Sequence, residues 1–147
     1  MISIILPCYN EENSIESNIS KIQEELSKTK KDYEIIVVDD GSTDNSKVKL
    51  KSLDINVVYH PHNMGYGAAL KTGIKNAKYD TIVISDIDGS YPPKHIPELI
   101  KTFDESNKES NGLDMVVGAR KGKEYDGSIM KFLFRKLLKS LFIGNLL

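Results

Sequence analysis

Five short apolar runs, rich in β-branched residues, punctuate the chain: "ISIIL" (2–6), "YEIIVVD" (33–39), "INVVY" (55–59), "TIVIS" (81–85) and "DMVVGA" (114–119). They are continuously apolar instead of alternating, which predicts parallel strands covered on both faces. Between them the apolar spacing lengthens to that of helices. Ile15, Ile19, Ile22 and Leu26 fall on one helical face. A second helix follows "GSTDNS", where Ser42, Thr43 or Asp44 can cap the exposed amides. A third, over residues 66–77, carries Ala69, Leu70, Gly73, Ile74 and Ala77, small residues among them allowing close packing on a sheet. A fourth starts after Pro93, which a first turn tolerates, and presents Ile96, Leu99, Ile100 and Phe103. The polar stretch 101–114 predicts a surface loop or a frayed helix end.

This βαβαβαβα order with a further strand predicts an α/β fold, a right-handed, doubly wound, mainly parallel sheet flanked by helices. Ligands of such sheets sit outside the carboxyl ends of the strands, where strand order reverses. The turns expected there, "PCYNEE", "DDGSTD" and "DIDGSYPP", are polar, acidic and in two cases glycine-bearing.

A length of 147 residues with 39% apolar content suits one domain with a real core. Twenty Lys and Arg against 21 Asp and Glu leave no global field, which argues against a nucleic-acid binder. The single cysteine, Cys8, has no internal disulfide partner, and no Cys/His set has zinc spacing, so a cytoplasmic or cytoplasm-facing chain is expected. The start "MISIILPCYNEE" has no basic n-region and no cleavage site, so no export signal is expected.

The acidic turns carry the candidate chemistry. Asp86 and Asp88 stand two apart at the end of an extended run, where side chains point the same way, and two carboxylates can grip one Mg2+ or Mn2+. A lone D-x-D is most often a solvated turn. Here it follows a buried strand, and a second acidic pair ends another, so a metal site is the expectation. Gly89 permits a tight turn, and Ser90 can add an oxygen or bond a water. In the second pair Asp39 and Asp40 face opposite ways, Asp39 toward the fold and Asp40 toward a ligand's base or ribose. Asp44 is expected to cap a helix. Tyr9, after the strand-ending Pro7, can stack on a base; Glu11 can accept from ribose hydroxyls or serve as a first-turn acid. "HPHNMGYGAALKTG" weakly resembles a phosphate-cradling loop through Gly65 and Gly67 but lacks the P-loop ending. Lys71 can meet a phosphate, although a solvated helix lysine is the default. His60 and His62 are expected at the surface.

From Ser128 onward the chain has Lys131, Arg135, Lys136 and Lys139, no acid, and Phe132, Leu133, Phe134, Leu137, Leu138, Leu141, Phe142 and Ile143. A basic amphipathic helix over 128–147 follows, lying in an anionic membrane surface or packing on the core or a partner. Its cations make a spanning helix unfavourable.

Together "ILPCYNEE", "VVDDGSTDNS", "HNMGYGAALKTGI", "ISDIDGSYPP" and "VVGAR" resemble the family 2 glycosyltransferases, and within them the polyprenyl-phosphate sugar transferases of the dolichyl-phosphate mannose synthase type. The resemblance covers most of residues 2–120. It implies a GT-A fold, with residues 1–127 as the nucleotide-sugar-binding part, and a divalent metal bridging Asp86 and Asp88 to the donor's diphosphate. It implies that Pro7, Tyr9 and Glu11 with Asp40 hold the nucleoside, and that Arg120 and Arg135 face an acceptor phosphate. Many members carry Gln where this chain has Ser90. The family continues beyond the position of Leu147, so a C-terminally truncated GT-A domain is expected, and its unfinished sheet and apolar terminal helix invite self-association.

The implied reaction is inverting, metal-dependent transfer of a GDP- or UDP-sugar's glycosyl group to an acceptor, a polyprenyl phosphate foremost, by a protein peripheral on the cytoplasmic membrane face. Two alternatives remain at this point. "IVISDIDGS" also resembles the nucleophile motif of haloacid-dehalogenase-type phosphatases, with Asp86 forming an aspartyl phosphate. The third reading is a non-catalytic nucleotide-sugar-binding fragment or membrane-surface adaptor.

Overall fold

The computed structural model of the chain describes residues 1–108 and 113–119. The expected terminal helix, the proposed boundary at 127/128, Arg120 and Arg135 lie outside the described residues. Met1–Met115 form one unit, and Val116–Leu147 a second, of which residues 116–119 are described.

The first four runs become strands: β1 (Ile2–Cys8), β2 (Tyr33–Asp39), β3 (Asn56–Tyr59) and β4 (Ile82–Ile84). Helices α1 (Ile15–Ser27), α2 (Ser46–Lys51), α3 (Tyr66–Asn76) and α4 (Ile96–Ser106) alternate with them, α4 entered through a 3-10 turn at Pro93–His95. All described strand pairs are parallel, in the order β3-β2-β1-β4. The steps from β1 to β2 to β3 run in one direction and leave Leu26 of α1 and Leu50 of α2 in one core cluster. The return step to β4 places Ala69 of α3 in the other cluster, on the opposite face, as a constant crossover hand requires. The sheet is thus doubly wound, in the α/β class expected from the alternation.

The core fixes helix rotation. Ile15, Ile19, Ile22 and Leu26 are fully or almost fully buried, each worth about 1.5–3 kcal/mol of burial. Gly73 lets α3 lie close on β1, since a Cβ there would come within 2.3 Å of Ile5 Cγ2. At the amino end of the sheet, buried Glu34 accepts from Ser3 Oγ, the Lys78 N–H and Asn56 Nδ2, tying β1, β2, β3 and the loop that leads into β4 together.

Two expectations need correction. Residues 113–119 form no strand; Met115 and Val117 are exposed and, among the described residues, no ladder partner pairs with them. An apolar run becomes a strand only when a neighbour supplies its backbone hydrogen bonds, and this run has none there. Cover on both faces also holds for β1 and β2 but not at the edges, where Ile84 is 48% exposed.

Candidate functional site

A crevice opens where β1 and β4 part. Odd-numbered residues of β1 turn their backbone toward β4: the Ser3 N–H donates to the Thr81 carbonyl and Ile5's carbonyl accepts from Ser85 N–H. Pro7, next in that series, has no N–H to donate, and the β1–β4 register ends at Ile5↔Ile84. The result is a cavity of about 330 Å³ at the switch point, walled by Pro7, Tyr9, Glu11, Asp40, Asn63, Gly65, Tyr66, Asp86 and Asp88 among others.

Two loops that the sequence offered as separate motifs interlock beside it. Asn10, in a left-handed conformation with φ 56°, donates its N–H to Ser42 Oγ and accepts from the Thr43 N–H at 2.8 Å. The Glu11 N–H reaches Ser46 Oγ, the Glu12 N–H reaches Asp44 Oδ2, and Glu12 Oε2 accepts from the Asn45 N–H. Asp44 Oδ1 also accepts from the Ser46 N–H at the first residue of α2, the capping task expected of it. Among the described residues nothing donates to the Glu11 carboxylate, which lines the cavity.

Asp39 and Asp40 diverge as strand alternation requires. Asp39 is 1% exposed and accepts from the Ser42 N–H, so it lies inside the fold and off the cavity wall. Asp40 reaches the wall, but its oxygens accept from His60 Nδ1 and the Met64 N–H at Oδ1 and from the Gly65 N–H at Oδ2. The loop that resembled a phosphate cradle therefore cradles this carboxylate instead. The side chain of His60, expected at the surface, is only 7% exposed and bridges Asp40 and Thr72 Oγ1 at 2.7 and 2.9 Å. Burial presses Asp40 toward its neutral form, but the Met64 N–H, His60 and the Gly65 N–H outweigh it and hold the carboxyl below the usual range. A lowered folded value contributes stability that is complete above the unfolded value of about 3.9 and is lost as pH falls through the folded one. Asp40→Asn is expected to cost about 1–3 kcal/mol at neutral pH, because an amide NH2 then faces a backbone N–H. Urea unfolding of both proteins at pH 7 and pH 3 checks this; the gap should narrow at the lower pH.

Around the D-x-D, Ile87 is buried in the core while Asp86 and Asp88 flank the cavity. The Tyr66 hydroxyl donates to Asp86 Oδ1 at 3.1 Å. Burial, then the Asp86 charge and, more weakly, Asp88 push this phenol up to about 12, so the hydroxyl stays protonated and donates to Asp86. Ser90 donates from its N–H to Asp88 Oδ1 and from Oγ to Asp88 Oδ2, at 2.7 and 2.6 Å. Burial and Asp39 push the Cys8 thiol to about 12, which excludes it as a thiolate nucleophile at neutral pH.

Gly67 and Lys71, expected near the donor, are exposed on the outward stripe of α3, opposite buried Ala69 and Gly73, and neither lines the cavity. Gly65 and Tyr66 take that place. Tyr66 and His60 were missed because their partners lie 20 residues away in sequence. Asn18 was missed too, although a polar residue on an apolar helical stripe is a visible signal.

Among the described residues no group of three His, Cys, Asp or Glu side chains converges on a point. Asp86 and Asp88 thus offer hard oxygens for part of a coordination shell, which fits a Mg2+ or Mn2+ that keeps water and substrate phosphate.

The profile described as glycosyl transferase family 2 matches residues 3–144. The chain belongs to this family. A dolichol-phosphate mannosyltransferase of Pyrococcus furiosus is 32% identical over 152 residues, covering 99% of this chain and 40% of that protein. Glucosyl-3-phosphoglycerate synthase of Mycobacterium tuberculosis, solved with UDP, superimposes with a TM-score of 0.68 at 27% identity, over 96% of this chain and 50% of its own. A mannosyltransferase of Pyrobaculum calidifontis, solved with GDP-Man and Mn2+, gives a TM-score of 0.57 at 26% identity, over 68% and 31%. The family 2 chain therefore has the GT-A fold and spans about 40% of the curated relative's length. Among its described residues no helix is long and apolar enough to cross a membrane.

Proposed function

We propose that the crevice binds the diphosphate and nucleoside of a nucleotide-sugar together with a divalent cation, for inverting transfer of the sugar to a polyprenyl phosphate. One observation carries this reading: four carboxylates, Glu11, Asp40, Asp86 and Asp88, line the cavity, and no Lys or Arg among the described residues does. A nucleoside diphosphate entering such a wall meets like charge, so tight binding calls for a cation. When bound, the metal supplies charge neutralisation at the departing diphosphate.

The chain's own residues hold and orient. Asp86 and Asp88 would be the ligands; the hydroxyls of Tyr66 and Ser90 fix their carboxylates, and Ser90 would act through Asp88 and not as a separate ligand. Tyr9 offers its half-exposed ring to the base, and Glu11 accepts from the ribose. Asp40 acts by position, holding the Met64–Gly65 turn so that Gly65 stands at the wall. Arg120 and Arg135 are assigned to the acceptor phosphate. Such a phosphate, with a second pKa of about 6, is already an anion at neutral pH and needs no strong base to attack. The likeness to a dolichol-phosphate mannosyltransferase supports a lipid-phosphate acceptor, and such an acceptor would place the protein at a membrane surface.

Calorimetric titration of GDP- and UDP-sugars with and without Mn2+ tests the reading. Binding is expected to be much tighter with the metal than without it; equal affinity in both would sink the proposal. The phosphatase alternative finds no support: its motif lies on the fourth strand, among loops shared with glycosyltransferases. A phosphoryl adduct trapped on Asp86 would reinstate it.

A further inference from the structure

The five residues that α1 buries are Ile15, Asn18, Ile19, Ile22 and Leu26, four aliphatic side chains and one amide. Leucine at position 18 would suit this stripe better, since a buried amide must recover its lost hydration through hydrogen bonds. Asn18 does so in one particular place. Its Nδ2 donates to the Ile87 carbonyl at 3.0 Å, the peptide between Asp86 and Asp88, across 69 residues of sequence. The same amide lies under Gly89, where a Cβ would come within 3.1 Å of Asn18 Nδ2 and Oδ1. Gly89 holds φ +80°, so the turn both bends sharply and rests on this side chain.

Behind the turn there is open space. A second cavity of about 320 Å³ is lined by Asn18, Lys21, Gly89, Pro92 and Pro93 among others, so the loop after Asp88 is not packed solidly on α1. Within that gap the Asn18 bond ties the middle of the D-x-D to a helix whose own rotation is fixed by four buried aliphatic residues.

We infer that Asn18 is a positioning residue that sets the spacing of Asp86 and Asp88 for a divalent cation carried in with a nucleoside diphosphate. The inference rests on the donor-site reading above. It assigns the amide to the outer support of the metal site, where loss of such a partner typically lowers metal affinity 10–100-fold.

Two variants of the 147-residue chain test it. Asn18→Leu removes the donor and keeps the branching and the number of heavy atoms; Ile22→Ala weakens the same helix face and keeps the Asn18 amide. Mn2+ titration in the presence of GDP or UDP, followed by the paramagnetic resonance of free Mn2+, should show about a 10–100-fold weaker site in Asn18→Leu. Ile22→Ala should bind Mn2+ as the parent does despite its lower thermal midpoint. Amide hydrogen exchange across residues 85–91 should speed up in Asn18→Leu alone. Equal Mn2+ losses in the two variants, or unchanged exchange across the turn in Asn18→Leu, would overturn the role of Asn18 and leave the donor site intact. A parent chain that binds Mn2+ no better with nucleotide than without it would instead overturn the donor-site reading, and this inference with it.

Discussion

Gly41→Ala is expected to cost roughly 2–5 kcal/mol, enough to threaten the folded state of a domain whose total stability is typically about 5–15 kcal/mol. Gly41 sits at φ +73°, and a Cβ built there would lie 2.3 Å from the carbonyl carbon of His62 and 2.7 Å from the Asn63 nitrogen. Those atoms are backbone, so no rotamer change relieves the clash. The left-handed conformation contributes about 1–2 kcal/mol of the loss and the overpacking about 1–3 kcal/mol. The displaced segment leads directly to Met64 and Gly65, so the cradle around Asp40 should loosen as well. Gly67→Ala is the matched control. A Cβ there meets nothing within 4 Å, and helix propensity favours alanine by up to about 1 kcal/mol. Urea unfolding followed by circular dichroism should therefore move in opposite directions for the two substitutions.

Asp86→Ala and Asp88→Ala are each expected to abolish the metal-dependent part of nucleotide binding, a loss beyond the 10–100-fold typical of outer partners. The sign of the metal-free effect separates this from structural damage. Removing one of four carboxylates from the cavity wall lowers the repulsion on an incoming diphosphate. Metal-free affinity should then rise slightly while Mn2+-dependent affinity collapses. A misfolded site would lose both. Isothermal titration of GDP and UDP with and without Mn2+ reads the two quantities in one experiment, and a parallel fall of both would refute the ligand assignment.

The doubly wound sheet was legible because β1 and β2 are buried on both faces and therefore appear in sequence as unbroken apolar runs. The D-x-D was legible because two acids stand at the end of an apolar run, the half-covered β4, and flank an isoleucine that goes to the core. What stayed hidden depends on distant partners. Nothing local marks His60 as buried; its environment is made by Asp40 and Thr72, on different elements. Asp40 reads as a ligand contact from its place at a strand end, and its three N–H partners, one from His60 and two from the loop before α3, cannot be read from that place. The stretch 114–119 shows the opposite failure, since its apolar pattern is real but a strand exists only with a neighbour. Gly67 looked like part of a phosphate loop from spacing alone, and the helix turned it to solvent.

The hydrogen bonds that join Asn10, Glu11 and Glu12 to Ser42, Thr43, Asp44, Asn45 and Ser46 make "YNEE" and "GSTDNS" halves of one object. Each half supplies acceptors for the other's backbone, so neither holds its shape alone. For anyone recombining loops between related sequences to alter donor choice, the exchangeable module is the pair: a hybrid that inherits one loop from each parent inherits a mismatched clasp.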